Sequence, residues 1–438
     1  MNTPIISLIG QPNVGKSSLF NLLIGKKHAI VSAQAGVTRD RQFSKLSIED
    51  RLAWLVDTAG LSKDHDKLSS LMYEQSRIAA EQADLVLLVV DGSLNCHQQD
   101  IQLARFIQKS KTPMCLVINK LDITSEDKMA SYRKIGAEHI INLSCTNRTG
   151  LNELKEMILG HIPKVEEDDL PKNPTVAIVG KPNAGKSTLT NHYAKEDRCI
   201  VSNIPGTPRD AIAIDLEHRG QAYTLIDTAG MRRKSRINEE IEQYATANTL
   251  RAIDDAQTII HLIDATDPIA RQDFRIIHLC LDMGKSVIIG VNKIDCLSQD
   301  SKKLFRDDIQ IALSHLKTIP IIELSATQGR NTHQLMKQAI LQAQDLSRTF
   351  NTSFLTRVLE KLVKTTPPPT RLGRPINLRM AHTSRQYPLE ITIKGKRTGY
   401  LPKSYIRYLM SGFIKQLDLK GRTVKLKLES DHNPYDEK

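Results

Sequence analysis

The 438-residue chain has little of several things that would otherwise decide its class. Its six cysteines stand at 96, 115, 145, 199, 280 and 296, with no CxxC pair among them. That spacing argues against a disulfide frame or a zinc site and leaves free thiols in a reducing compartment. Aromatic residues make up 4% of the chain, so an aromatic platform for stacking bases has little to be built from. The longest strongly apolar run, LVLLVV at 85–90, is too short to cross a bilayer. The opening MNTPIISLIG carries neither a basic segment nor a cleavage site and reads as a strand. The thirteen histidines show no ligand spacing. What is left is a cytoplasmic enzyme, expected as a monomer, with an ordinary apolar fraction of 40%.

What is present begins with charge. Residues 351–438 hold 18 Lys+Arg against 7 Asp+Glu, a balance of +11. Subtracting these from the totals of 61 and 49 leaves 43 against 42 for residues 1–350, a balance of +1. So uneven a distribution points to a polyanion-binding tail domain, with a merely solvated basic surface as the alternative.

An internal repeat organises the rest. VGKSSLFN (14–21) returns as AGKSTLTN (184–191), and AIVSAQAGVTRD (29–40) as CIVSNIPGTPRD (199–210). LVDTAG (55–60) returns as LIDTAG (225–230), VINKLD (117–122) as GVNKID (290–295), and LSCT (143–146) as LSAT (324–327). Five landmarks kept in order mark a duplicated domain. In the first copy IISLIG, LAWLVD, LVLLVVD, PMCLVIN and HIINLS read as buried strands separated by amphipathic helical stretches. Such alternation implies an α/β fold, a mostly parallel sheet with helices on both faces. The expected division is 1–162 and 175–347 for the two copies, an acidic, proline-containing linker at 163–174, and a basic module at 348–438. The last module reads as αββαβ, from SFLTRVLEKLVK through INLRM, LEITI and PKSYIRYLMSGFIKQL to TVKLKLE.

The repeated motifs carry phosphate chemistry. GQPNVGKSS (10–18) and GKPNAGKST (180–188) both fit GxxxxGK[ST]. In that pattern glycines let successive N–H groups face inward around the phosphates, and one lysine adds charge. Two matches, each after an apolar strand and before a helical stretch, make coincidence untenable. The cradle comprises Gly10, Asn13, Val14, Gly15, Lys16, Ser17 and Ser18 in the first copy. In the second it comprises Gly180, Asn183, Ala184, Gly185, Lys186, Ser187 and Thr188. The hydroxyls of Ser17 and Ser187 face Mg²⁺, with Asp57 and Asp227 of DTAG behind its water shell; Gly60 and Gly230 leave room for an N–H on the γ-phosphate. NKLD and NKID select the base. Asp122 and Asp295 accept from N1 and the 2-amino group of guanine, whereas adenine offers neither donor there. An unpaired buried carboxylate is worth discrimination on the order of 10³-fold. Asn119 and Asn292 brace the pocket, Lys120 and Lys293 lie against the base, and Ser144, Cys145, Ser325 and Ala326 form the base-contacting loops. The ligand is GTP or GDP.

With these motifs in place, each copy resembles the Ras-like translation-factor class of GTPase domains. The tandem arrangement with a basic tail, including PPPTRLGRP and LPKSYIRYL, resembles the Der (EngA) double-GTPase family of bacterial ribosome-assembly factors across essentially the whole chain. The resemblance implies a KH-like tail and a nucleotide-dependent switch that binds the RNA of the large ribosomal subunit during its maturation. A nucleotide-gated scaffold stays open as the other reading, with a second domain that turns over little and a tail that relays state between the G domains.

The chain departs from pattern in places. Leu61 and Met231 follow DxxG where many Ras-like GTPases have a water-orienting glutamine. Relatives with this feature use a P-loop asparagine to help hold K⁺, which implies that role for Asn13 and Asn183 unless they only stabilise the loop turn. Thr38 is the expected switch threonine over Mg²⁺ and γ-phosphate, but Pro208 takes its place in the second copy, one residue after Thr207. Proline offers neither hydroxyl nor N–H, so the two sites are not expected to be equivalent. Cys145 replaces the usual alanine without expected loss, and MRRKSR (231–236) is either an RNA or tail contact or a solvated switch loop. The tail has no GxxG clamp, so its RNA binding would lean on phosphates and weaken with salt.

Overall fold

The computed structural model describes residues 3–28, 43–49, 51–57, 76–77, 79–163, 173–196, 198–199, 213–226, 246–267, 269–313, 316, 318–370 and 374–430. Contacts divide the chain into two compact units, 1–170 with 236–254 and 171–235 with 255–438.

In the first unit the apolar runs become strands, in the order β1 (Ile5–Ile9), α1 (Lys16–His28), β2 (Phe43–Ile48), β3 (Arg51–Asp57), β4 (Leu85–Asp91) and α2 (Gln98–Lys109). The series continues with β5 (Met114–Asn119), α3 (Glu126–Ser131), β6 (His139–Asn142) and α4 (Leu151–His161). The sheet runs β2-β3-β1-β4-β5-β6. All its pairings are parallel except β2 with β3. Every residue of β4 is buried, as expected for a central strand covered on both faces. The chain leaves β1 toward β3 on one side and toward β4 on the other, so ligands are expected beyond the carboxyl end of β1.

The second unit repeats the plan. It contains β7 (Thr175–Gly180), α5 (Lys186–Glu196), the short β8 (Arg198–Cys199), β9 (Ile214–His218) and β10 (Gln221–Ile226). In the chain α6 (Thr246–Asp255) then leads to β11 (Thr258–Asp264), α7 (Arg271–Asp282), β12 (Ser286–Asn292), α8 (Gln299–Ala312), β13 (Ile321–Glu323) and α9 (Thr332–Asp345). Strand order is β13-β12-β11-β7-β10-β9-β8. Its core is built from residues such as Ile178, Leu225, Ile260, Leu262 and Leu335.

The tail module follows as α10 (Thr352–Thr365), β14 (Asn377–Arg385), β15 (Glu390–Lys396), α11 (Lys403–Gln416) and β16 (Lys425–Ser430), the expected αββαβ order. Asn351 caps α10 by accepting from the Phe354 N–H at 2.8 Å, and Leu355, Val358, Leu359 and Leu362 form the buried stripe. Its β14 pairs antiparallel and β16 parallel with β15. The module docks on the second G domain through the backbone: Val287 N–H donates to Gly421 O and Gly421 N–H to Thr318 O, both at 2.8 Å. Arg422, almost fully buried, donates to the Asp345 carbonyl at 2.9 Å and to its carboxylate at 3.3 Å. Val287 lies at the amino end of β12 and Asn292 at its carboxyl end, so the tail sits at the opposite end of the sheet from the NKID motif.

Candidate functional site

Each P-loop opens at the carboxyl end of its first strand, where glycine is required sterically. A Cβ on Gly10 would overlap the Val89 carbonyl, and one on Gly180 the Leu262 carbonyl. Gly15 (φ 97°) and Gly185 (φ 93°) lie where a Cβ would overlap the amide of Asn119 or Asn292. Asn13 (φ 64°) and Asn183 (φ 60°) take the left-handed conformation that asparagine tolerates better than most residues. This gives both asparagines a conformational role in the loop, whatever ion they meet.

The two P-loop lysines are held by carbonyls of their own loops. Lys16 Nζ donates to the Gly10 and Gln11 carbonyls at 2.7 and 2.6 Å, and Lys186 Nζ donates to Lys181 O at 2.6 Å. Burial lowers the Lys16 ammonium to about 8, partly opposed by the Asp57 carboxylate. Ser17 Oγ donates to Asp57 Oδ2 at 2.9 Å, which brings together at the start of α1 and the end of β3 two hard oxygen donors of the kind Mg²⁺ prefers. Val14, Ser18, Ala184, Ser187 and Thr188 fall in the same loop-to-helix turns. Of the other candidates, Thr38, Gly60, Asp227 and Gly230 lie outside the described residues, as do Leu61, Thr207, Pro208, Met231 and the MRRKSR cluster.

The asparagines of NKxD tie three loops together. Asn119 Nδ2 donates to Val14 O at 2.9 Å, and its Oδ1 accepts from the Cys145 N–H at 3.2 Å. Asn292 repeats this with Ala184 O and the Ala326 N–H, both at 2.9 Å. The backbone N–H expected to face the base is thus engaged by the bracing asparagine. Ser144 Oγ donates to Asp122 Oδ1 at 2.6 Å and accepts from the Asn147 N–H at 3.1 Å. In the second domain the hydrogen bond from Ser325 holds the Asp295 carboxyl below its usual range. Burial pushes the Cys145 thiol up to about 11, which keeps it protonated and unreactive.

Two residues the motif reading passed over complete the pocket. Asp91 and Asp264, the last residues of β4 and β11, bind Lys120 Nζ and Lys293 Nζ at 2.5 Å. Burial pushes both carboxyls up, but hydrogen bonds from the lysine and from Ser93 or Thr266 outweigh it, and both end below the ordinary range. Their signal was available: LVLLVVD and TIIHLID end in aspartate at matching places in the repeat.

Two GxxxxGK[ST] loops, each followed by an NKxD motif, on doubled parallel sheets, define a tandem P-loop GTPase. Residues 5–120 and 175–293 match the family model described as 50S ribosome-binding GTPase, and 350–429 the one described as KH-domain-like of EngA bacterial GTPase enzymes, C-terminal. GTPase Der of Saccharophagus degradans is 36% identical over 436 residues, covering 99% of this chain and 93% of the relative. GTPase Der of Stenotrophomonas maltophilia R551-3 is 35% identical over 441 residues, covering 99% and 95%. The chain belongs to the Der (EngA) family and hydrolyses GTP. Among solved structures, Era in complex with MgGDPNP and nucleotides 1506–1542 of 16S ribosomal RNA matches at 22% identity and a TM-score of 0.31, covering 60% of this chain and 93% of that one.

Proposed function

We propose that this protein is a two-input GTP switch that acts in assembly of the large ribosomal subunit by nucleotide-dependent binding to its RNA. The observation that carries the nucleotide half is the asparagine tie, repeated in both domains, which joins phosphate loop, guanine motif and base loop into one frame. Support for the ribosomal half comes from the family and from the basic tail, with its +11 balance over residues 351–438.

On this reading an incoming phosphate displaces the Gly10 and Gln11 carbonyls from Lys16, and the Lys181 carbonyl from Lys186. The N–H groups following Gly10 and Gly180 surround the phosphates. Asp122 and Asp295 take the guanine edge, each steadied by its serine. Ser17 with Asp57, and Ser187 with Asp227, would hold a Mg²⁺ ion, which would supply positive charge to offset that of the phosphates. Thr38 would offer its hydroxyl to that ion in the first domain, whereas Pro208 has none to offer in the second. Gly60 and Gly230 present backbone N–H groups to the γ-phosphate. Leu61 and Met231 cannot orient water, so Asn13 and Asn183 would help hold a K⁺ ion, which would supply positive charge in their place.

The experiment is co-sedimentation with purified large subunits in GDP, GTP and a non-hydrolysable analogue, in K⁺ buffer at two salt concentrations. Analogue-dependent, salt-sensitive pelleting that requires residues 351–438 is expected. Absence of pelleting in every state removes the ribosomal reading. Pro208, together with the backbone docking of the tail on the second domain, favours a second reading. In it the second domain is a slow, nucleotide-gated scaffold and the tail relays its state.

A further inference from the structure

The two domains share a helix cap and treat it in opposite ways. Ile9 of β1 pairs with Leu88 of β4, and Val179 of β7 with His261 of β11, so Leu88 and His261 hold the same place in the two sheets. By the same repeat Asp100 matches Asp273, each three residues after its helix N-cap, and Gln11 matches Lys181 in the phosphate loop.

In the first domain Asp100 Oδ2 accepts from the His97 N–H at 3.3 Å, while Oδ1 is buried with no hydrogen-bond partner. Burial pushes that carboxyl up. In the second domain Asp273 is equally buried, yet it is fully engaged. Its Oδ2 accepts from the Ala270 N–H at 2.9 Å, and its Oδ1 receives His261 Nε2 at 3.1 Å. Lys181 Nζ lies 3.4 Å from Asp273 Oδ2 and 3.1 Å from Asp267 Oδ2. Burial pushes the Asp273 carboxyl up, but the His261 bond, the cap and the Lys181 charge outweigh it, and it lies below the usual range. Three differences between the repeats, Leu88 to His261, Leu94 to Asp267 and Gln11 to Lys181, thus turn a helix cap into a charged anchor.

We propose that Lys181, fixed by Asp273 and Asp267 with His261 behind them, is a positioning residue that ties the second phosphate loop to the amino end of α7 and slows nucleotide release there. Lys181 is the second residue of that loop, and its own carbonyl is the acceptor that holds Lys186 Nζ. Fixing its side chain therefore fixes the ammonium's resting place and the first turn of the cradle. A loop ordered in advance loses less freedom when it closes on phosphates, so it holds them longer. The first domain, with Gln11, has no such ion pair to Asp100 to make. This inference rests on the reading of residues 180–188 as a phosphate loop.

The test uses the full chain carrying Lys16→Ala, so that only the second site reports, and follows dissociation of a fluorescent GDP analogue alongside GTP turnover. Lys181→Gln, which installs the first domain's residue, is expected to speed release roughly tenfold and raise KM with kcat little changed, as loss of a charge-assisted contact of this size implies. Lys181→Arg is expected to restore release to within about twofold, because a guanidinium also reaches both carboxylates. Asp267→Asn, at a half-exposed position where folding is not at risk, is expected to show a smaller change that does not add to that of Lys181→Gln. Unchanged release in Lys181→Gln and Asp267→Asn overturns the proposal, even if thermal stability drops. Failure of the Lys16→Ala parent to bind the GDP analogue overturns the phosphate-loop reading itself, and the proposal with it.

Discussion

Asn119 and Asn292 each carry two bonds that no other side chain of the same size could make, one as donor and one as acceptor. Replacing either with alanine leaves a P-loop carbonyl and a base-loop N–H without partners. Affinity for GDP at that site is expected to fall by at least about tenfold, read by titration with the other site silenced. Lys16 gives a pH signature. A neutral lysine cannot pair with phosphate, and in the protein alone this one loses its proton near pH 8. Beside a phosphate it stays charged to higher pH, so binding takes up a proton above about 8. Affinity at the first site should therefore decline from that pH upward, by at most about tenfold per unit. Calorimetry in buffers of different ionisation enthalpy measures the uptake directly, and pH-independent affinity between 8 and 10 would contradict it. Cys145→Ala should leave affinity unchanged, since the bond that ties this loop to Asn119 is made by the backbone N–H. The motif residues were legible because glycine, lysine and asparagine are each demanded at a fixed spacing. Asp91 and Asp264 escaped because an aspartate closing a strand looks like any strand end until its lysine partner is in view.

Among the elements, the central strands were legible from uninterrupted apolar runs such as LVLLVVD, and α10 from its regular stripe. The antiparallel β2 was not, since FSKLSI at the sheet edge buries only Leu46 and Ile48 fully and mixes polar with apolar residues. The same holds for β9, IDLEH, whose neighbour β8 is only two residues long. Nor could a sequence pattern show where the tail docks, because backbone groups of Val287, Thr318 and Gly421 make part of that contact, beside the Arg422–Asp345 pair. Gly421 is its pivot: its φ is 65°, and a Cβ there would overlap the Val287 carbonyl. Gly421→Ala is expected to cost about 1–3 kcal/mol and to separate unfolding of the tail from that of the second G domain in calorimetry. A single transition at the original temperature would show that the seam carries little.

At the scale of the whole molecule, duplication has produced one frame tuned twice. The first copy carries Thr38, Gln11 and Leu88; the second carries Pro208, Lys181 and His261 at the matching positions. On the function and the Lys181 anchor proposed above, the first set belongs to a site that senses the γ-phosphate through its switch, and the second to a site that retains nucleotide. Potassium should serve both, so replacing it with sodium is expected to slow whichever turnover is measured. The most direct test of unequal sites is steady-state GTP hydrolysis by Lys16→Ala and Lys186→Ala in K⁺ buffer, each compared with the unaltered chain. The account predicts activity in both, with the Lys186→Ala protein, which keeps the first site, turning over several-fold faster. Equal rates, or a faster Lys16→Ala protein, would contradict it.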